Sequence, residues 1–183
     1  MVDIRGFTGL ASVIKPDDLI CLLADYQSIM VPVIQDHGGT IDKFLGDGIM
    51  ATFGAASASP TFAADALKAV DAVIAAADNW AADLLADEKP LLKIGVAVTT
   101  GRIIFGAVGD ASRLEYTVIG DAVNLAAKLE KHTKKEGVRA LCTASAYDTA
   151  RSQGYRRPVD PGTLESRIIA GVNQPQHIVV LAP

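Results

Sequence analysis

The sequence predicts an α/β sandwich, with helices packed on a mixed or antiparallel sheet, and three observations point there. Short apolar runs bounded by glycine, such as "KFLGDGIMATFG" and "LLKIGVAVTTGRIIFGAV", read as strands meeting at tight turns. Residues 16–37 and the alanine-rich stretch 61–86 read as helices. The resulting order, (β)αββαβββαβαβ, intersperses helices with hairpins, which does not suggest a doubly wound nucleotide fold.

Each element has a local reason. "VDIRGFTGL" reads as the end of a strand turning into a helix. In residues 16–37, Leu19, Leu22, Leu23, Tyr26, Met30 and Val33 recur at helical spacing. Asp17 and Asp18 suit the positive first turn, Gly38 and Gly39 end the helix, and Pro32 should kink it or be absorbed near its end. A hairpin over 42–53 turns at Gly46-Asp47-Gly48, which alone reads as an ordinary solvated tip. The next helix starts near Pro60, with Ser59 as its cap. Residues 91–108 read as two strands turning near Gly101, and 115–119 as another strand. "DAVNLAAKLEKHTKKEG" is a helix closed by Gly137. Residues 138–142 follow as strand, 144–153 as a short helix, and "QHIVVLA" as the final strand.

Composition narrows the function classes. The 183 residues suffice for one domain, taken as 1–183, with a core of its own. Half the residues are apolar, and a net charge of −4 gives no sign of a nucleic-acid surface. Cys21 and Cys142 make no disulfide framework and fit no metal spacing, so a reducing, cytoplasmic setting is expected. No apolar run has the length of a membrane span, and the charged start "MVDIRGFT" is no signal peptide. His37 suits a helix end, His132 is assigned to a polar helix face, and His177 opens the last strand; none has metal-ligand spacing.

Two carboxylates stand at strand ends beside glycine: Asp3 before "IRGFT" and Asp47 in the hairpin turn. If their strands are neighbours, both reach one edge of the sheet, where paired carboxylates hold hard cations. Two Mg²⁺ at such a site form the known clamp for displacement at phosphorus. "IRGFTGL" supplies backbone N–H groups of Gly6, Phe7 and Thr8 where a helix begins, a natural seat for phosphate oxygens.

Taken with "RLEYTVIGDAVNLAAKLE" (113–130) and "GVAVTTGRIIFGAVG", these stretches closely resemble the catalytic domain of class III adenylate/guanylate cyclases, from the first residues to about residue 142. The resemblance implies a ferredoxin-like βαββαβ core, a head-to-tail homodimer with sites in the interface, and conversion of a nucleoside triphosphate to a 3′,5′-cyclic nucleotide and pyrophosphate. By position, Asp3 and Asp47 match the aspartates that hold two Mg²⁺ or Mn²⁺. Lys43 matches the reader of the purine base and Thr117 its partner. Asn124 matches the asparagine that orients the ribose, and Lys128 stands where the family usually has an arginine steadying the triphosphate.

The base-reading pair points to ATP. Lysine donates to adenine N1, an acceptor, whereas guanine presents a donor there, and family members making cyclic GMP typically place glutamate at this position. The Thr117 hydroxyl can accept from the adenine 6-amino group, and threonine here resembles the subgroup associated with bicarbonate-responsive adenylate cyclases. Three departures stand out. Lys128 keeps the charge of arginine but not its planar fork, which predicts a slower but live enzyme. "RIIAGVNQPQHIVVLA" has no obvious match to the family's last triphosphate contact. A full strand normally precedes the first aspartate, so the chain is expected to be the C-terminal part of a longer protein, with its first strand truncated and Asp3 on a frayed terminus. The rival readings are a degenerate cyclase domain that binds nucleotide or a partner without turnover, a guanylate cyclase, and a polymerase-like palm, which would need a basic template groove.

Overall fold

In the computed structural model, which describes residues 1–110, 112, 114–157 and 161–183, the elements follow in this order. They are β1 (Val2–Ile4), α1 (Phe7–Ala11), α2 (Pro16–Asp36), β2 (Thr40–Leu45), β3 (Gly48–Thr52), α3 (Phe62–Ala86) and β4 (Ile94–Val98). Then come β5 (Ile104–Gly109), β6 (Leu114–Ile119), α4 (Asp121–Glu136), β7 (Ala140–Thr143), α5 (Ala144–Ser152), β8 (Thr163–Arg167) and β9 (Gln176–Ala182). Arg113, which opens one of the sequence motifs, lies outside the described residues.

Seven strands form one sheet in the order β2-β3-β1-β4-β7-β9-β8. The first four pair antiparallel, and with α2 and α3 as crossovers they make the βαββαβ core of a ferredoxin-like fold. β7 then joins β4 in parallel through α4, and β9 and β8 complete the edge.

β1 is short but not frayed. Val2 pairs with Ile49 on one side and Val96 on the other, and Met1 exchanges backbone hydrogen bonds of 3.0 and 2.9 Å with Ala97. Val2 and Ile4 are buried in the main core, so pairing on both edges and apolar burial hold a strand that its length alone would not.

Helices cover both faces of the sheet. On one, α2 buries Leu22, Tyr26, Met30 and Ile34 at four-residue spacing and runs through Pro32 to its end. Beside it α3 presents Ala63, Ala64, Leu67, Val70, Val73, Ala77, Trp80 and Leu84, and the rings of Tyr26 and Trp80 lie 5.6 Å apart. Burying Met30 or Leu67 completely contributes roughly 1.5–3 kcal/mol each. On the other face α4 packs against β4 and β7, closing a smaller core of Ala97, Leu129, Leu141, Ile169 and Ile178.

Four sequence expectations change here. α3 begins at Phe62 with Thr61 as its N-cap residue; Ser59 instead accepts a hydrogen bond from the Thr61 backbone N–H (3.2 Å), with Pro60 lying before the helix. β4 and β5 do not form a hairpin: β5 pairs with β6 over six positions as a separate two-stranded sheet, which packs through β6 against β2. His132 is buried rather than on a polar face, its Nε2 2.9 Å from Glu136 Oε1, because α4 turns this side onto the sheet. The strand β8 has no counterpart in the sequence reading; its residues "TLESR" lack the apolar alternation that marks a strand.

Candidate functional site

Antiparallel pairing of Val2 with Ile49 brings Asp3 of β1 and Asp47, in the turn before β3, to the same end of the two strands, where they meet. Val2 and Ile4 point into the main core, so the alternation of a strand turns Asp3 to the α4 face, opposite Gly95 of β4. Asp47 sits in the turn between β2 and β3, and its Oδ2 accepts a hydrogen bond from the Ile4 backbone N–H (3.2 Å). Gly48 lies beneath: a Cβ added there would stand 3.5 Å from Asp3 Oδ1. Burial first, then the hydrogen bond and negative charge of Asp47, push the Asp3 carboxyl up to about 7 from its usual 3.8.

Asp3 and Asp47 offer the hard oxygen donors and negative charge that a divalent cation takes, but among the described residues no third His, Cys, Asp or Glu joins them. The sign of the pH effect follows. The folded state holds its proton on Asp3 more tightly than the unfolded chain, so this group favours the fold below pH 3.8 and its contribution is lost as pH rises through about 7. A cation must displace that proton, so binding strengthens over the same rise. The melting-temperature gain from Mg²⁺ is therefore expected to be larger at pH 8 than at pH 6. An equal gain at both values would assign the bound ion to other ligands.

Gly6 takes a left-handed backbone (φ 75°) and caps α1, a helix of five residues. Phe7 packs partly against the main core, while Thr8 is exposed. The first N–H groups of this turn have no partner within the helix.

Lys43 and Thr117, 74 positions apart in sequence, converge where β2 meets β6. The Lys43 ammonium donates to Glu115 Oε1 (2.7 Å) and lies 3.6 Å from Asp42 Oδ2, and the Thr117 hydroxyl donates to the same Asp42 oxygen (3.3 Å). The hydrogen bond to Glu115 comes first among the causes that raise the Lys43 pKa. The sequence reading missed both carboxylates. Asp42 carries no signal beyond adjacency to Lys43, and Glu115 faces Lys43 only once β6 has folded over β2.

Asn124 and Lys128 lie one turn apart on α4, hence on one face of it. Asn124 is exposed; the Lys128 ammonium donates to the carbonyl oxygen of Gly171, in the segment between β8 and β9. Nearby, Arg5 donates to Thr133 Oγ1 (2.9 Å), and burial raises the Glu130 carboxyl pKa while the Arg5 charge pulls it down.

Thus the structure brings Asp3 to Asp47, Lys43 to Thr117, and Asn124 to the face of Lys128. No hydrogen bond or ion pair among the described residues links the three groups to one another. An apolar cavity of about 150 Å³ bounded by Met50, Phe53, Phe62, Val98, Val118 and Val123 is lined by none of these residues. The β5–β6 hairpin meanwhile exposes Ile104, Phe105, Val108, Leu114, Tyr116 and Ile119. Among the described residues no helix is long and apolar enough to cross a membrane.

Comparison with known proteins bears on this geometry. The family described as the adenylate and guanylate cyclase catalytic domain matches residues 1–164. An adenylate cyclase of Anabaena cylindrica is 35% identical over 152 residues, 78% of this chain and 28% of that protein. The terminal-differentiation specific adenylate cyclase of Dictyostelium discoideum is 36% identical over 168 residues, 90% of this chain and 8% of that protein. The chain therefore spans only a small part of the curated relatives it matches. Among solved structures, the guanylyl cyclase Cya2 is 27% identical with a TM-score of 0.84, covering 98% of this chain and 87% of that one. The adenylyl cyclase CyaB from P. aeruginosa is 30% identical with a TM-score of 0.79, covering 100% and 90%.

Proposed function

Because the chain belongs to the adenylate and guanylate cyclase catalytic domain family, and is thus a nucleotide cyclase domain, we propose that it is an adenylate cyclase working as a head-to-tail homodimer. In the reaction, the ribose 3′-oxygen of ATP attacks the α-phosphorus of the same molecule. The new O3′–P bond closes the 3′,5′-cyclic ring, the bond to pyrophosphate breaks, and the 3′-hydroxyl loses its proton. No second substrate and no protein nucleophile are needed, so positioning and charge neutralisation are most of the task.

One observation carries the choice of base: Lys43 and Thr117, separated along the chain, meet in a single polar cluster. Lysine is donor-only and suits the N1 acceptor of adenine, while a threonine oxygen can accept from the 6-amino group. A site built on such matched groups rejects the wrong base because buried partners are left unpaired.

The remaining residues take their roles from chemistry and position. Asp3 and Asp47 would hold the divalent cations, Mg²⁺ or Mn²⁺, which when bound supply Lewis-acid neutralisation of charge at the α-phosphate. The free N–H groups at Gly6, Phe7 and Thr8 are suited to phosphate oxygens. Asn124 orients the ribose, and Lys128 steadies the triphosphate as a point charge after leaving the Gly171 carbonyl. Dimerisation is supported by the apolar side chains that the β5–β6 hairpin leaves in solvent and by the separation of the three residue groups within one protomer.

The test is turnover of ATP and of GTP with Mg²⁺ or Mn²⁺, with product quantified as cyclic nucleotide. Cyclic AMP in clear excess supports the reading; cyclic GMP in excess reverses the base assignment. No product from a folded dimer would leave a domain that binds nucleotide without turnover. Lys128→Ala is expected to lower kcat by on the order of 10²-fold, less than the loss seen on removing an arginine clamp. Unchanged kcat would reduce Lys128 to a tether for Gly171.

A further inference from the structure

The two residues that meet Thr117 and Glu115 are neighbours in sequence, which an ordinary strand does not allow, because adjacent side chains point to opposite faces. The register explains it. Ile41 pairs with Ala51 but Lys43 pairs with Met50, so β2 advances two residues while β3 advances one. Asp42 is the extra residue of a β-bulge, a feature that re-aims side chains. Asp42 and Lys43 thereby both reach toward β6.

The Asp42 side chain is only 3% exposed, and its Oδ2 is approached by the Thr117 hydroxyl at 3.3 Å and the Lys43 ammonium at 3.6 Å. A carboxylate so far from water is costly unless its oxygens are satisfied, so this position is committed to those two contacts. The consequence lies in the hydroxyl. A threonine hydroxyl is ambiguous, able to donate its one proton or to accept on its lone pairs. Asp42, which can only accept when ionised, takes that proton, and Thr117 is left with acceptor capacity alone toward any ligand. Lys43 has three donors; Glu115 takes one in a hydrogen bond of 2.7 Å and Asp42 lies at ion-pair distance, 3.6 Å, which leaves the ammonium donor capacity for a ligand.

We propose that Asp42 is the positioning residue that sets base choice: by holding the Thr117 proton it makes the site read an exocyclic amine and reject a carbonyl at the same place. An adenine fits, offering an amine at C6 and an acceptor at N1; a 6-oxopurine meets a lone pair with a lone pair. This inference rests on the reading of Lys43 and Thr117 as the base-reading pair and adds the residue that gives the hydroxyl its polarity.

The experiment compares kcat/KM for ATP and for purine riboside triphosphate, which keeps the N1 acceptor but lacks the 6-amino group. In the unmodified protein ATP should be preferred on the order of 10-fold, the value of one satisfied hydrogen bond in a desolvated site. Thr117→Val sets the floor of that ratio. Asp42→Ala should lower it part of the way to that floor, because the released hydroxyl can still accept from the amine but is no longer held to accepting, and adding Thr117→Val to Asp42→Ala should complete the fall. Asp42→Val, similar in size and suited to a strand, repeats the measurement in a variant that retains the fold. A residue serving only as counter-ion to Lys43 would alter both nucleotides alike, since both present N1, and the ratio would stay at its original value. That outcome in either Asp42 variant overturns the proposal. Failure of the underlying reading looks different: the unmodified protein would then favour GTP, form no cyclic nucleotide, or show no ATP preference that Thr117→Val removes.

Discussion

Replacing Asp47 by alanine is expected to abolish cyclic-nucleotide formation, with a loss on the order of 10³-fold or more. Cations at such a site contribute several kcal/mol to charge neutralisation at phosphorus, and each 1.4 kcal/mol is about a factor of ten in rate. With Asp47 gone, Asp3 alone remains of the facing pair, and one carboxylate holds a hydrated divalent ion weakly. Asp47→Asn separates charge from shape, because an amide oxygen can still accept from the Ile4 N–H. Both variants should lose turnover and the pH-dependent stabilisation by Mg²⁺. Their metal-free melting temperatures should also vary less between pH 6 and pH 8, since the charge of Asp47 no longer helps to raise the Asp3 pKa. Turnover within tenfold of the unmodified protein, from either variant, would remove Asp47 from the reaction.

The second large effect concerns stability. Gly95, in β4 opposite Asp3, is covered by α4: a Cβ added there would lie 2.2 Å from Glu130 Oε1 and 3.1 Å from Thr133 Oγ1. The carboxylate sits at the far end of a flexible side chain, but Glu130 is itself buried and has the charge of Arg5 nearby. Moving it displaces a charged group within a packed layer. Gly95→Ala is therefore expected to cost about 1–3 kcal/mol, a fall in melting temperature of roughly 3–10 °C. Calorimetry of the variant checks this, and a change below 1 °C would mean that α4 can stand off from β4 without cost.

Much of the architecture was legible because it is written in local chemistry. Helical spacing located α2, α3 and α4, with Gly137 in the left-handed conformation (φ 70°) that ends α4 where the sequence indicated. Glycine-bounded apolar runs located β2 and β3 and the turn carrying Asp47. Asp3, Asp47, Gly6, Phe7 and Thr8 were legible as carboxylates and N–H groups beside glycine, and the other four candidates came from the resemblance of ordered motifs. What escaped was non-local. β8 is polar and exists because β9 offers it backbone partners. The partner of β5 followed from pairing across a turn that single-strand patterns do not encode.

The sequence by itself determined which side chains the proposed site draws on: two aspartates, a lysine and a threonine proposed to read a purine, and an asparagine with a lysine one helical turn on. It also determined the succession of strands and helices that carries them, because hydrophobic period, turn residues and caps act within a few residues of themselves. Only the tertiary structure decided how these groups meet. Pairing of β1 between β3 and β4 brought Asp3 to Asp47 and raised its pKa, an effect of burial and of a neighbour 44 residues away. A one-residue slip in the β2–β3 ladder turned Asp42 toward Thr117. The physical reason is that periodicity reports which face of an element is apolar, whereas register and proton sharing depend on atoms supplied by distant parts of the chain.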